Sequence, residues 1–160
     1  MLVEGAGLVV GENVKVVQAA VDKIGGKIEI LPAASARDID TIFAALPDKQ
    51  VQGVLVSFGQ LFVNRRVQLA TVATRHAVPT MFNQRNFAEA GGLMSYGPNM
   101  ADAYRQVGIY VGRILKGEKP MDMPVMQPTK FEFVFNMQTA RTIGIEVPAN
   151  LLAIADEVIE

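Results

Sequence analysis

Three short stretches of this chain combine side chains able to grip a small polar molecule. Ser57-Phe58-Gly59-Gln60-Leu61-Phe62-Val63-Asn64 sets two aromatic rings among amides. Phe82-Asn83-Gln84-Arg85 ends in a guanidinium, the planar fork that best matches a carboxylate. Met94-Ser95-Tyr96-Gly97 adds a hydroxyl and a phenol ring. Aromatic faces stack on a ring, and a few well-placed amides and one guanidinium fix orientation. Phe58, Gln60, Asn64, Asn83, Arg85, Ser95 and Tyr96 together therefore suit a zwitterionic or aromatic amino-acid-like molecule. The plainer alternative is that Arg85 pairs with a surface acid while Phe58 and Phe62 close a core.

Other chemistries find little support. His76 is the only histidine, and cysteine is absent, so neither a thiolate metal set nor a Cys–His dyad can form. His76 is expected to end a helix. No catalytic residue, metal site or cofactor is assigned. The carboxylates are dispersed, with no pair after a first strand and none poised for glycoside or metal chemistry. Gly5-Ala6-Gly7 with Gly11 has the wrong spacing for a dinucleotide loop, and too little chain precedes it for the strand such a loop needs. Gly108 and Gly112 form a small-x-x-x-small pair, but Arg105 and Arg113 forbid membrane insertion, so close packing against another element is expected. Arg65-Arg66 reads as a solvated pair at a helix start, and the eight methionines as core filling.

The elements that must position the three stretches are legible in the apolar spacing. Val14, Val17, Val21 and Ile24 lie on one helical face, stopped by Gly25-Gly26, with Gly11 leaving the helix start open near Leu8. Ile28 and Ile30 alternate as in a short strand, and Ser35-Ala36-Arg37-Asp38 has the form of a capping box ahead of a helix over 35–46. Val54-Leu55-Val56 is a continuous apolar run, the mark of a strand covered on both faces. Asn64 is expected to cap a helix to His76, and 78–82 to be the next strand. This rhythm predicts an α/β fold: a parallel sheet with helices on both faces, in which 28–31, 53–57 and 78–82 are parallel neighbours. In such a sheet ligands bind beyond the carboxyl ends of the strands, where the three stretches fall.

After Gly92 the rhythm changes. Tyr104, Val107, Val111, Ile114 and Leu115 lie on one helical face, and Pro120, Pro124 and Pro128 punctuate an extended passage. Phe131, Phe133 and Phe135 alternate as a strand. Asn136 is expected to cap a short helix ending at Gly144, and Asn150 a final helix bearing Leu151, Leu152, Ile154, Ala155 and Val158.

Composition narrows the class. The chain has 160 residues, 50% hydrophobic and 19% charged, enough for a substantial core. A net charge of −1 with both signs scattered leaves no footprint for nucleic acid and no polybasic patch for a membrane surface. No apolar run is long enough to span a bilayer, and the start lacks the basic leader and cleavage region of a secretory signal.

The order Ala90-Gly91-Gly92-Leu93-Met94-Ser95-Tyr96-Gly97, Ala103-Tyr104-Arg105-Gln106-Val107-Gly108, Arg113-Ile114-Leu115-Lys116-Gly117-Glu118-Lys119-Pro120 and Pro124-Val125-Met126-Gln127-Pro128-Thr129-Lys130-Phe131 resembles the solute-binding proteins of bacterial ABC transporters, of the tryptophan/tyrosine type. The likeness continues through Asn136-Met137-Gln138-Thr139-Ala140 and Ala155-Asp156-Glu157-Val158-Ile159. It implies one lobe of a type I periplasmic-binding-protein fold, with residues 1–160 as a single C-terminal lobe. It further implies a non-enzymatic role: binding a small amino-acid-like solute in an interlobe cleft and presenting it to an ABC permease, in the periplasm or another extracytoplasmic space. Family members are about twice as long and are exported, so a fragment carrying the C-terminal lobe is expected. In that likeness the Met94–Gly97 stretch crosses towards the other lobe, and the helix within 98–118 packs on that lobe or on a second chain. The strand that should precede the Val14 helix is expected to be missing, which would leave an open sheet edge. An apolar helix stripe and an open edge together predict a homodimer. The alternative function is a stand-alone α/β effector-sensing or regulatory module without a transport role.

Overall fold

The computed structural model describes residues 1–5 and 8–160, with side chains described at 1–5 and 13–160. Of the early glycine pattern, Ala6 and Gly7 lie outside the described residues.

Strands β1 (Leu2–Glu4) and β2 (Leu31–Ala33) pair in parallel, and β3 (Val54–Leu55), β4 (Thr80–Phe82), β5 (Met94–Pro98), β6 (Phe131–Asn136) and β7 (Glu157–Ile159) pair in that order. A parallel bridge from Leu2 to Val56 joins the two groups, and the Ser57 N–H donates to the Leu2 carbonyl at 3.0 Å. The sheet therefore runs β2-β1-β3-β4-β5-β6-β7. Its pairs are parallel throughout except β5–β6, which is antiparallel. Helices α1 (Leu8–Lys23), α2 (Ala36–Ala45), α3 (Gln60–Asn64), α4 (Arg66–Arg75) and α5 (Arg85–Glu89) are interleaved with the first five strands. Helix α6 (Met100–Leu115) lies between β5 and β6, and α7 (Met137–Thr142) and α8 (Ala149–Ala153) lie between β6 and β7.

Strand alternation sends apolar side chains to both faces. On one face Val54, Val56 and Phe82 pack against Ile39 and Phe43 of α2, Leu69 and Val72 of α4 and Phe87 of α5. On the other, Phe133 and Phe135 pack with Met94 under Met137 and Ala140 of α7 and Leu151 and Leu152 of α8. Each fully buried aromatic or aliphatic side chain here is worth ~1.5–3 kcal/mol, so these two clusters carry the fold. Ser35 caps α2 as its spacing predicts, its Oγ accepting from the Asp38 N–H at 3.2 Å, while Asp38 accepts from the Ala34 N–H at 2.9 Å. The bond from the Ala34 N–H, and after it hydrogen bonding from the Ser35 side chain to the carboxyl, hold Asp38 below its usual pKa. Asn136 caps α7 through the Thr139 N–H at 2.9 Å.

Several expectations need correction. The strand thought missing is β1, and it sits between β2 and β3 with Leu2 and Val3 wholly buried. Three residues are too few for any periodicity to betray. The second strand is 31–33 rather than 28–31, and it neighbours β1 instead of the 53–57 strand. It is an edge strand, so Pro32, which lacks an N–H, is tolerated there. The helix expected from Asn64 breaks at Arg65 into α3 and α4, so Asn64 ends a short helix instead of capping a long one. His76 does end a helix, as the C-cap of α4. Asn150 lies inside α8 behind the capping Pro148, and Val158 belongs to β7.

Between β5 and β6 the chain makes an excursion over residues 99–130. Asn99 caps α6, its Oδ1 accepting from the Asp102 N–H at 2.8 Å. The excursion returns beside its start, where the Asn99 N–H donates to the Lys130 carbonyl at 2.9 Å and Lys130 Nζ lies 3.2 Å from Asp102. Past Gly117, an extended strap lies back along α6, and the Tyr110 hydroxyl donates to the Pro124 carbonyl at 2.7 Å. No residue of α6 is buried. Val107, Val111 and Leu115 are 58%, 49% and 83% exposed, so the stripe read from the sequence stays largely open to solvent.

Candidate functional site

The carboxyl ends of β1, β3, β4 and β5 share one edge of the sheet, and the three stretches of interest emerge there. Glu4, at the end of β1, holds the first of them. Its carboxylate accepts from the Leu61 N–H at 3.2 Å, and a Cβ on Gly59 would lie 2.1 Å from Glu4 Oε2. Only glycine allows this approach. Phe62 is consequently turned into the core, whereas Phe58 is 66% exposed. Gln60 and Asn64, one turn apart on α3, are both exposed and bonded to each other, Nε2 to Oδ1 at 3.1 Å.

Asn83 follows β4 and lies against β5. A Cβ on Gly97 would meet the Asn83 carbonyl oxygen at 1.9 Å, so backbone touches backbone at this point of the edge. One residue earlier, Tyr96 is half exposed and stacks on Phe131 of β6, ring centroids 5.8 Å apart and planes 18° from parallel. Nothing in the sequence marks Phe131 as a site residue, because the three alternating phenylalanines read only as a strand. Phe133 and Phe135 are core, but Phe131 lies at the open end of the strand and is half exposed.

The remaining two candidates lie behind this rim. Arg85 opens α5, and its guanidinium spans three carboxylates: Nε to Glu89 at 2.8 Å, Nη2 to Glu157 at 2.8 Å and Nη1 to Glu132 at 3.4 Å. Hydrogen bonds to Glu89 and then Glu157 raise its pKa further above the already high arginine value. In this arrangement Arg85 is a clamp binding α5 to β6 and β7, with its fork already filled. Ser95 is buried in the sheet, in register with Phe82 on one side and Val134 on the other, and its Oγ has no hydrogen-bond partner among the described residues. The same end of the sheet thus carries Phe58, Gln60, Asn64, Asn83 and Tyr96, with Phe131 stacked on Tyr96, and sets Arg85 and Ser95 in the layer beneath.

His76 ends α4 at the opposite, amino edge of the strands, remote from this rim. Among the described residues no group of three or more His, Asp or Glu could hold a metal ion, and no helix is long and apolar enough to cross a membrane. Elsewhere a groove of about 480 Å³ runs between α6 and its strap, with Val107, Tyr110, Val111, Met123, Val125 and Met126 among its lining residues.

Comparison with known proteins follows the same architecture. A conserved domain protein from Vibrio cholerae superposes with a TM-score of 0.84 at 19% identity, over 98% of this chain and 54% of that one. The ABC domain in complex with L-Trp from Streptococcus pneumoniae gives 0.83 at 22% identity, over 99% and 55%. A ligand-free, open substrate binding protein with adhesive properties from Clostridium difficile gives 0.69 at 20% identity, over 99% and 53%. At these identities the likeness shows the fold, and the chain spans little more than half the length of each structure. No curated protein matches it significantly. The family model described as ABC transporter substrate binding protein matches residues 8–159, nearly the whole chain, and the chain therefore belongs to that family.

Proposed function

We propose that this chain supplies one wall of a solute-binding cleft serving an ABC-type importer, and that the solute is a small amino-acid-like molecule. The observation that carries the reading is the rim at the carboxyl edge, where the exposed ring of Phe58 and the amides of Gln60, Asn64 and Asn83 follow β3 and β4 and the Tyr96–Phe131 stack lies on the neighbouring β5 and β6. Rings of this kind accept an aromatic or branched side chain, and the amides take the polar end. Arg85 and Ser95 act from behind, Arg85 by holding α5 against β6 and β7. Family membership supports a binding role without catalysis, and the L-Trp complex of the pneumococcal neighbour supports the class of solute. The same membership supports an extracytoplasmic site of action and an ABC permease as partner. The largely open stripe of α6 fits a docking face for a second lobe, and in the 160-residue chain by itself a second copy takes that place.

Titration calorimetry with a panel of aromatic and branched amino acids tests the site. Weak binding of L-tryptophan or L-tyrosine is expected, lost when Phe58 and Tyr96 are both replaced by alanine. Binding of either that survives Phe58→Ala together with Tyr96→Ala would place the site elsewhere.

A further inference from the structure

We propose that Glu132 is a positioning residue that sets the direction of the 99–130 excursion relative to the sheet, by tying its neck to the Arg85 clamp. Glu132 sits on β6 opposite Gly97 of β5 and is only 8% exposed. A carboxylate so placed is costly unless donors surround it. One oxygen, Oε2, receives both of its side-chain donors: Asn99 Nδ2 at 2.9 Å and Arg85 Nη1 at 3.4 Å. Each donor is fixed at its other end. The Asn99 amide oxygen caps α6 through the Asp102 N–H, and Arg85 is held at 2.8 Å by Glu89 and by Glu157. A single oxygen thereby joins the first turn of α6 to a cluster built from α5 and β7.

This joint has unusual leverage because little else orients α6. The helix has no buried residue, and the Tyr110–Pro124 and Arg113–Glu118 bonds tie it only to its own strap. The Asn99–Lys130 backbone bond and the Lys130–Asp102 pair close the neck without reaching the lobe beneath. Arg85 directly follows Asn83 and Gln84, so the same joint links the β4 loop of the rim to the neck. Glu132 does so from the strand face, without lining the rim itself. The inference concerns orientation alone and does not depend on the identity of any solute.

The absence of cysteine makes the test direct, since two labels can be introduced without background reaction. Spin labels at Gln138→Cys on α7 and Lys116→Cys beyond α6, both exposed, report the angle of the excursion as a distance distribution, with excess unlabelled chain isolating the intramolecular signal. Glu132→Ala is expected to broaden that distribution about twofold. Glu132→Gln, which keeps the size and an acceptor oxygen but loses the charge facing Arg85, is expected to broaden it less. Glu89→Ala, which removes one of the two carboxylates that fix Arg85 but leaves Glu132 and Asn99 in place, is expected to broaden it less than Glu132→Ala. Distributions for both Glu132 variants that superpose on the unmodified chain overturn the proposal, as does equal broadening by Glu89→Ala. Should Glu132→Ala fail to fold, Glu132→Gln decides alone, and an unchanged distribution overturns the idea.

Discussion

At the scale of single residues, the rim depends on two glycines that let other groups approach closely. Gly97 has no room for a side chain, because the Asn83 carbonyl lies where its Cβ would be. Gly97→Ala must push β4 and β5 apart locally, and crowding of this kind costs ~1–3 kcal/mol. A lower thermal midpoint is expected, together with weaker solute binding than in the unmodified chain. An unchanged midpoint would mean that the contact relaxes freely. Residue type let the sequence nominate candidates, and Phe58, Gln60, Asn64, Asn83 and Tyr96 fall at one end of the strands. What could not be read was who already holds whom. Two of the three carboxylates that fill the fork of Arg85, Glu132 and Glu157, lie 47 and 72 residues away in sequence, on strands whose neighbours no local pattern reveals. Phe131 was hidden for a related reason, since alternation assigns a side to a side chain but does not say where the cover ends.

Among the elements, long periodic ones declared themselves and short ones did not. The capped helix α2, the stripe of α6 and the phenylalanine alternation of β6 each repeat a spacing several times. Strands β1 and β7 have three residues each, and tertiary pairing alone makes them strands. The break at Arg65 likewise has no proline or glycine to announce it. Helix α6 offers a test at this scale, because its first turn carries Asp102 between Arg105 and Lys130. Hydrogen bonds from Arg105 and then Lys130 lower the Asp102 pKa. A carboxyl with a folded pKa below its unfolded value contributes stability above the unfolded value, near pH 3.9, and loses it as pH falls through the folded one. Asp102→Asn is therefore expected to lower the thermal midpoint at neutral pH and to match the unmodified chain once the pH lies below the ordinary carboxylate range. A deficit that persists in acid would point to packing instead of charge.

For the molecule as a whole, the α/β class and its parallel sheet followed from the alternation of strand and helix, but the strand order did not. The sheet edge expected to be open beside the Val14 helix is filled by β1, so the case for self-association rests on α6 alone. Sedimentation at micromolar concentration is expected to show a dimer for the 160-residue chain, and a monomer there would remove the second copy as the occupant of that stripe. The neck described above carries a different consequence. Because Pro98 pairs with Phe131 and Asn99 bonds to Lys130, the thirty-odd residues between are, in topological terms, the loop of one β-hairpin. A hairpin loop of any length can be exchanged for a two-residue Asn-Gly turn if nothing in it supports the core, and nothing buried in α6 does. The excursion is thus a cassette: removed between Asn99 and Lys130, so that Glu132 keeps its amide donor, it should leave a smaller domain that melts cooperatively, and a foreign helical hairpin grafted between the same two residues should be carried without disturbing the sheet.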